Sequence, residues 1–180
     1  MLTAQQQVFI QALEELDLAQ VQRLLADGLD PNFIDEEKGP AVSVWSDNLF
    51  KWWENICEAH ESGQPMTAEQ KQKDLQIHLD ILETLIQAKA NFHLWDAEEC
   101  YGPLWDAASA ACVPAVQRLL DHNVDPNTKD EEGKTILTSI SDLFFDCDFD
   151  KIDWSQALAE EKDTLELLRS RGAKMTKEIT

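Results

Sequence analysis

The sequence predicts an all-α chain built by stacking a repeated helix–turn–helix unit. VQRLLADGLDPNFIDEE, starting at Val21, returns 95 positions later as VQRLLDHNVDPNTKDEE, starting at Val116. So many identities in one register mark an internal repeat. Within the copy, Val116, Leu119 and Leu120 keep the spacing of one buried helical stripe. Gly28 and Asn123 stand at the same place after that stripe, and both residue types tolerate the left-handed backbone that ends a helix.

GPLWDAASAACVPAVQRLLDHNVDPN, residues 102–127, resembles an ankyrin repeat. GPLWDAA is similar to the T-P-L-H-x-A-A opening of that family, and VQRLLDHNVDPN to its V-x-x-L-L-x-x-G-A-D-x-N closing. Trp105 stands where the family usually has histidine. The resemblance implies a solenoid of turn, inner helix, second turn, outer helix and a finger-like hairpin loop. Leu104, Ala107 and Ala108 supply a small-residue face on which two helices approach closely.

Four units follow, at approximately 4–35, 36–96, 97–130 and 131–177. In the first, Phe9 stands 12 positions before Val21, as Leu104 stands before Val116, so Phe9 and Ala12 fall on the inner-helix face. Its Gln-rich start suits an N-terminal cap. The second unit is interrupted. Leu82, Leu85 and Ile86 match Val21, Leu24 and Leu25 at a shift of 61, which is 28 more than a plain repeat of about 33. Val42, Trp45, Leu49, Trp52, Trp53 and Ile56 prolong its inner helix, and ESGQPM breaks it. Thr67 with Gln70 then forms a capping box that starts the outer helix. Because Trp52 and Trp53 are adjacent, only one of them can face the buried stripe squarely.

The third unit is the resembling stretch itself. The fourth opens with Gly133, Thr135 and Leu137, and its outer signature TLELLRSRGAK arrives 16 residues late. Ile140, Leu143, Phe144 and Phe145 prolong its inner helix. DCDFDK turns the chain, Asp153 or Ser155 caps, and Trp154, Leu158, Leu165 and Leu168 make the outer stripe. Arg169 occupies the place of Leu25, Ile86 and Leu120, as suits a last unit with no neighbour.

Composition narrows the function. The chain has 180 residues, enough for one repeat array, and its 43% hydrophobic content is too high for a disordered chain. A net charge of -20, from 35 acidic and 15 basic residues, argues against nucleic acid or an anionic membrane as direct ligand and favours a basic protein partner. The start MLTAQQQVFIQALEEL lacks a basic n-region, and no apolar run reaches membrane-span length. Cys57, Cys100, Cys112 and Cys147 have no disulfide or metal spacing, so reduced thiols in a cytoplasmic monomer are expected.

No catalytic chemistry is expected. There is no Gly-rich phosphate loop or nucleophile signature. His60, His78, His93 and His122 are dispersed. Asp146, Asp148 and Asp150 alternate as a calcium loop begins, but Lys151 replaces the turn glycine and Ala157 the closing glutamate. Neither cofactor nor metal is expected. The signals that remain belong to surfaces. Asp35, Glu36 and Glu37, then Asp96, Glu98 and Glu99, then Asp130, Glu131 and Glu132 recur at one place in three fingers. Such a ladder suits a lysine- or arginine-rich partner. Trp45, Trp52 and Trp154 are expected to hold the long hairpins together. Trp95 on a finger and Trp105 with Asp106 on an inner helix lie where ankyrin proteins meet partners, and exposed tryptophans there are expected anchors. The expected role is a protein-interaction module using fingers and concave inner face. The alternative is an acidic inhibitor or immunity-type protein that masks the cationic active site of a toxin or nuclease.

Overall fold

A computed structural model describes residues 2–94, 102–130, 132–155 and 157–179 of the chain. Its helices come in pairs: α1 (Ala4–Glu14) with α2 (Leu18–Ala26), and α3 (Ala41–Glu61) with α4 (Ala68–Gln87). α5 (Pro103–Ser109) then pairs with α6 (Val113–Asp121), and α7 (Ile136–Phe145) with α8 (Ala159–Ser170). Each helix packs on its partner. In addition α1, α3, α5 and α7 pack in succession as an inner layer, and α2, α4, α6 and α8 as an outer one. Two short strands, β1 (Ile34–Asp35) and β2 (Gly39–Pro40), pair antiparallel as the finger after the first pair. Lys129 and Thr135 bridge at the matching place after the third. No described helix is long and apolar enough to cross a membrane.

The core lies between the layers and is filled from the repeated positions. Phe9, Leu13 and Val21 are fully buried in the first pair, as are Ala107, Ala108, Val116 and Leu119 in the third. The inner helices of the first and third pairs therefore approach their neighbours as the sequence predicts. At the end of each outer helix one residue takes a left-handed backbone: Gly28, Lys89, Asn123 and Gly172, with φ of 94°, 60°, 62° and 92°. In each case the next residue donates its N–H back to the carbonyl five before it, as Leu29 does to Leu24 at 3.1 Å and Val124 to Leu119 at 3.2 Å. That closure satisfies carbonyls the helix would otherwise leave open.

The stopped chains are then latched to each other by asparagine. Asn32 accepts the Asn91 N–H at 2.6 Å and donates Nδ2 to the Lys89 carbonyl at 3.3 Å. Asn127 repeats the arrangement, accepting the Lys174 N–H at 2.9 Å and donating to the Gly172 carbonyl at 3.1 Å. Each asparagine is itself positioned by Asp30 or Asp125, whose carboxylate accepts its backbone N–H at 2.9 Å. The repeated D-P-N thus joins the first pair to the second and the third to the fourth.

The second pair is a long hairpin. α3 has 21 residues and α4 has 20, against seven and nine in α5 and α6. Thr67 and Gln70 form the expected capping box, and Thr3 with Gln6 forms an equivalent one that starts α1. Trp45 is fully buried and its Nε1 donates to the His78 carbonyl at 3.0 Å. Trp52 lies 6.1 Å from the His78 ring, and both Trp52 and Trp53 are half-buried. His78 is 1% exposed, and its Nδ1 has no hydrogen-bond partner among the described residues. Burial holds its pKa down at about 4, with Asp74 opposing.

The short third pair sits between longer neighbours. Its inner-to-outer turn, Ala110 to Cys112, is at most 4% exposed, whereas Glu15 and Asp17 at the matching turn of the first pair are exposed. Burial pushes the Cys57 thiol of α3 above its ordinary pKa, with the charge of Glu61 adding to the effect. Burial also pushes the Cys112 thiol up to about 11.

The fourth pair corrects two expectations. α8 starts at Ala159, and its N-cap is Leu158, whose N–H donates to Glu161 Oε2 at 3.0 Å. Asp153 instead accepts the Ser155 N–H at 3.1 Å in a local turn. Leu158 is therefore outside the buried stripe, at 55% exposure, while Leu165 and Leu168 are fully buried. Arg169 faces a 3₁₀ turn at Thr176–Glu178 and holds the Glu178 carboxylate bidentately at 2.5 and 2.8 Å. A polar residue at that position is matched by a polar lid.

Two outcomes are expected from this packing. Lys89, like Asn123, is a non-glycine in a place where the other pairs use Gly28 and Gly172, and lysine tolerates that backbone less well than asparagine, so Lys89→Gly should stabilise the fold by about 0.5–1 kcal/mol in chemical denaturation. A loss of stability would mean that the Lys89 side chain, rather than its backbone, is needed there. The second outcome concerns His78. Its folded pKa near 4 lies below the ordinary 6.5, so between those values the unfolded chain binds the extra proton. Stability should be flat above pH 6.5 and fall by roughly 3 kcal/mol as pH drops to 4. The stability difference between wild type and His78→Gln should carry this pH dependence, and a flat difference would refute it.

Candidate functional site

The candidate surface is the edge where fingers meet the inner helices. In the first finger, Gly39 takes φ of 69° and lets the chain reverse over four residues. Asp35 does not point away from the protein. Its Oδ1 accepts the N–H groups of Glu37 at 2.8 Å and Lys38 at 2.9 Å, which closes the finger turn. Glu36 and Glu37 are exposed, and Lys38 pairs with Glu14 of α1. Between this finger and α3 lies a cleft of about 270 Å³, lined by Glu14, Glu37, Lys38, Asp47, Asn48 and Lys51 among others.

The third finger repeats the design. Asp130 accepts the Lys134 N–H on Oδ1 at 2.8 Å and the Ser139 hydroxyl on Oδ2 at 3.2 Å. Glu132 is exposed and lies 3.2 Å from Lys134, an ion pair too solvated to add much stability. Asp35 and Asp130 are thus turn-forming residues, and Glu36, Glu37 and Glu132 are the carboxylates directed to solvent. Trp95, Asp96, Glu98, Glu99 and Glu131 lie outside the described residues.

Trp105 is a correction. The ring is 3% exposed, so it is a core side chain in this state and not an open anchor. It lines a small cavity of about 70 Å³ with Phe92, Pro103, Leu104 and Val124 at the base of the second finger. A side chain that large gains more by covering these apolar neighbours than by standing in water. Asp106 is drawn inward as well: Ser46 of α3 donates its hydroxyl to Oδ2 at 2.5 Å, tying two inner helices together.

One residue in this region fits no helical or repeat pattern that singles it out. Ile34 is 58% exposed in β1, immediately before Asp35, Glu36 and Glu37. Its signal is a mismatch within the repeat, because the corresponding residue of the third finger is Lys129. Phe33, beside it, turns inward and meets Phe9 edge-on at 6.0 Å.

The aspartates that resemble a calcium loop are held by lysines. Asp148 lies 3.2 Å from both Lys151 and Lys177, which hold its carboxyl below the usual range, and Asp150 lies 3.4 Å from Lys177. Asp146 takes a left-handed backbone at the end of α7. Among the described residues no group of three or more His, Cys, Asp or Glu is placed to hold a metal ion.

Residues 104–139 match the family model of ankyrin repeats (many copies). The matched stretch runs from α5 through α6 and the third finger into α7. No curated protein sequence matches the chain. The match supports the ankyrin-repeat family, whose members are in general interaction modules and not enzymes, and the helical stack, with one two-stranded sheet among the described residues, is an ankyrin-type all-α fold.

Proposed function

We propose that this protein binds a basic protein partner through its fingers and inner-helix face, as a cytoplasmic monomer of four ankyrin units. The observation that carries the reading is the recurrence of solvent-directed carboxylates at one register of the fingers, on a chain of net charge -20. Glu36, Glu37 and Glu132 are the exposed members, and Glu98, Glu99 and Glu131 stand at the matching positions of the sequence. Ile34 adds an apolar contact beside the first cluster, and Trp95 adds an aromatic one on the second finger. Charges at a rim act on encounter and apolar groups on residence, so the two kinds divide the work of binding. The proposed units are 4–35, 36–96, 97–130 and 131–177, a division read from the sequence register and supported by one left-handed outer-helix end in each.

The same charge is compatible with a second reading, an acidic inhibitor or immunity-type protein covering the cationic active site of a toxin or nuclease. Competition with DNA for the partner separates it from a general docking role.

The test uses the partner captured from the native host and identified by mass spectrometry. Replacing Glu36, Glu37, Glu98, Glu99, Glu131 and Glu132 with Gln should leave the fold intact or slightly stabilised by lower self-repulsion. Association should slow by about tenfold at low salt and lose most of its salt dependence. Ile34→Ala and Trp95→Ala should instead speed dissociation. An association rate unchanged from wild type at low salt would reduce the finger charge to a solvated edge.

A further inference from the structure

The end of α7 and the chain leading from it to α8 carry apolar surface that the helical stack covers only in part. Phe144 and Phe145 meet edge-on at 6.1 Å, Phe145 meets Trp154 at 5.9 Å, and Trp154 meets Phe149 at 5.6 Å. The four rings form one continuous platform, half-buried against the core. Leu143, next to Phe144, is 60% exposed. Leu158 is 55% exposed, one helical turn before Lys162, whose ammonium lies 6.0 Å from the Trp154 ring centre. Single exposed aliphatic residues are ordinary, but Leu143, next to Phe144 in the chain, and Leu158, four residues after Trp154, flank a cluster of linked rings, and together they mark an interaction surface.

Its charge indicates what covers it. Residues 142–163 hold eight carboxylates against two lysines. Asp142 and Asp148 are engaged by lysines, while Asp146, Asp153 and Glu160 are exposed. The ring faces already accept cations, Lys162 over Trp154 and the Arg169 guanidinium over Phe149 at 5.8 Å. Apolar rings bordered by carboxylates complement a helix with leucine-type residues on one face and lysine or arginine on the other. A second copy of this chain would set acid against acid, and an anionic membrane would be repelled.

We infer that the platform between α7 and α8 docks a basic amphipathic helix from a protein partner. The apolar side of that helix lies on Leu143, Leu158 and the rings, and its cations face Asp146, Asp153 and Glu160. The surface is separate from the fingers and does not depend on them.

The probe is a synthetic 14-residue Leu/Lys peptide with leucines on one helical face, compared with a scrambled peptide of the same composition. Amide chemical-shift mapping and calorimetry are run on the full chain. Saturable binding is expected, with shifts centred on residues 143–163 and affinity about tenfold above the scrambled peptide. The double variant Leu143→Asp with Leu158→Asp should lose about tenfold in affinity. If its melting temperature falls, Leu143→Gln with Leu158→Gln serves in its place. Shifts centred on the fingers, equal binding of the two peptides, or an unchanged affinity in the folded leucine variant would each overturn the assignment. Dimerisation of the free chain through this surface would also overturn it.

Discussion

Each outer helix has to stop within one residue and send the chain back toward the fingers, and the rest of the stack depends on that stop. A single left-handed residue accomplishes it at Gly28, Lys89, Asn123 and Gly172. Because the closing N–H returns to the carbonyl five residues earlier, the direction of the departing chain is set by the left-handed backbone and that hydrogen bond. Asn32 and Asn127 can then reach the next stopped chain and bind it through both amide groups. Two layers of helices whose apolar faces cannot be covered within one unit are thereby held in register.

That constraint leaves the opposite end of each helix pair free to vary, and the insertions occur there. The second pair grows by lengthening both helices around a buried Trp45, with the cap Thr67 restarting the chain. The fourth grows by a 3₁₀ turn and an aromatic cluster instead. Neither disturbs the helix ends that bear the fingers. One consequence is that the short third pair has its inner-to-outer turn buried where the first pair has it open. The long hairpin carries a corresponding burden in His78, a titratable ring sealed in apolar surroundings and held neutral by them.

Acidic residues in this chain have two distinct uses. Asp30, Asp35, Asp125 and Asp130 accept backbone N–H groups at close range and shape the fingers. Glu36, Glu37 and Glu132 have longer side chains that reach past the turn into solvent. The division follows from side-chain length: an aspartate reaches a backbone N–H two residues on, and a glutamate there does so poorly. A finger with both can be rigid and strongly charged at once.

The sequence by itself determined the repeat, the apolar faces of the first and third pairs, the Thr67 cap and the stops at Gly28 and Asn123, because each depends on residues a few positions apart. Val21 and Val116, Gly28 and Asn123, and Thr67 and Gln70 carry their roles in local spacing. Only the tertiary structure decided what happens across the stack. Trp105 is buried by Phe92 and Val124, Asp106 is held by Ser46, and Arg169 is matched by Glu178. The start of α8 also moved to Ala159, since the preceding chain is occupied with its aromatic cluster. In each case the deciding partner is remote in sequence or belongs to an insertion with no copy to compare, so its energy is absent from any local pattern.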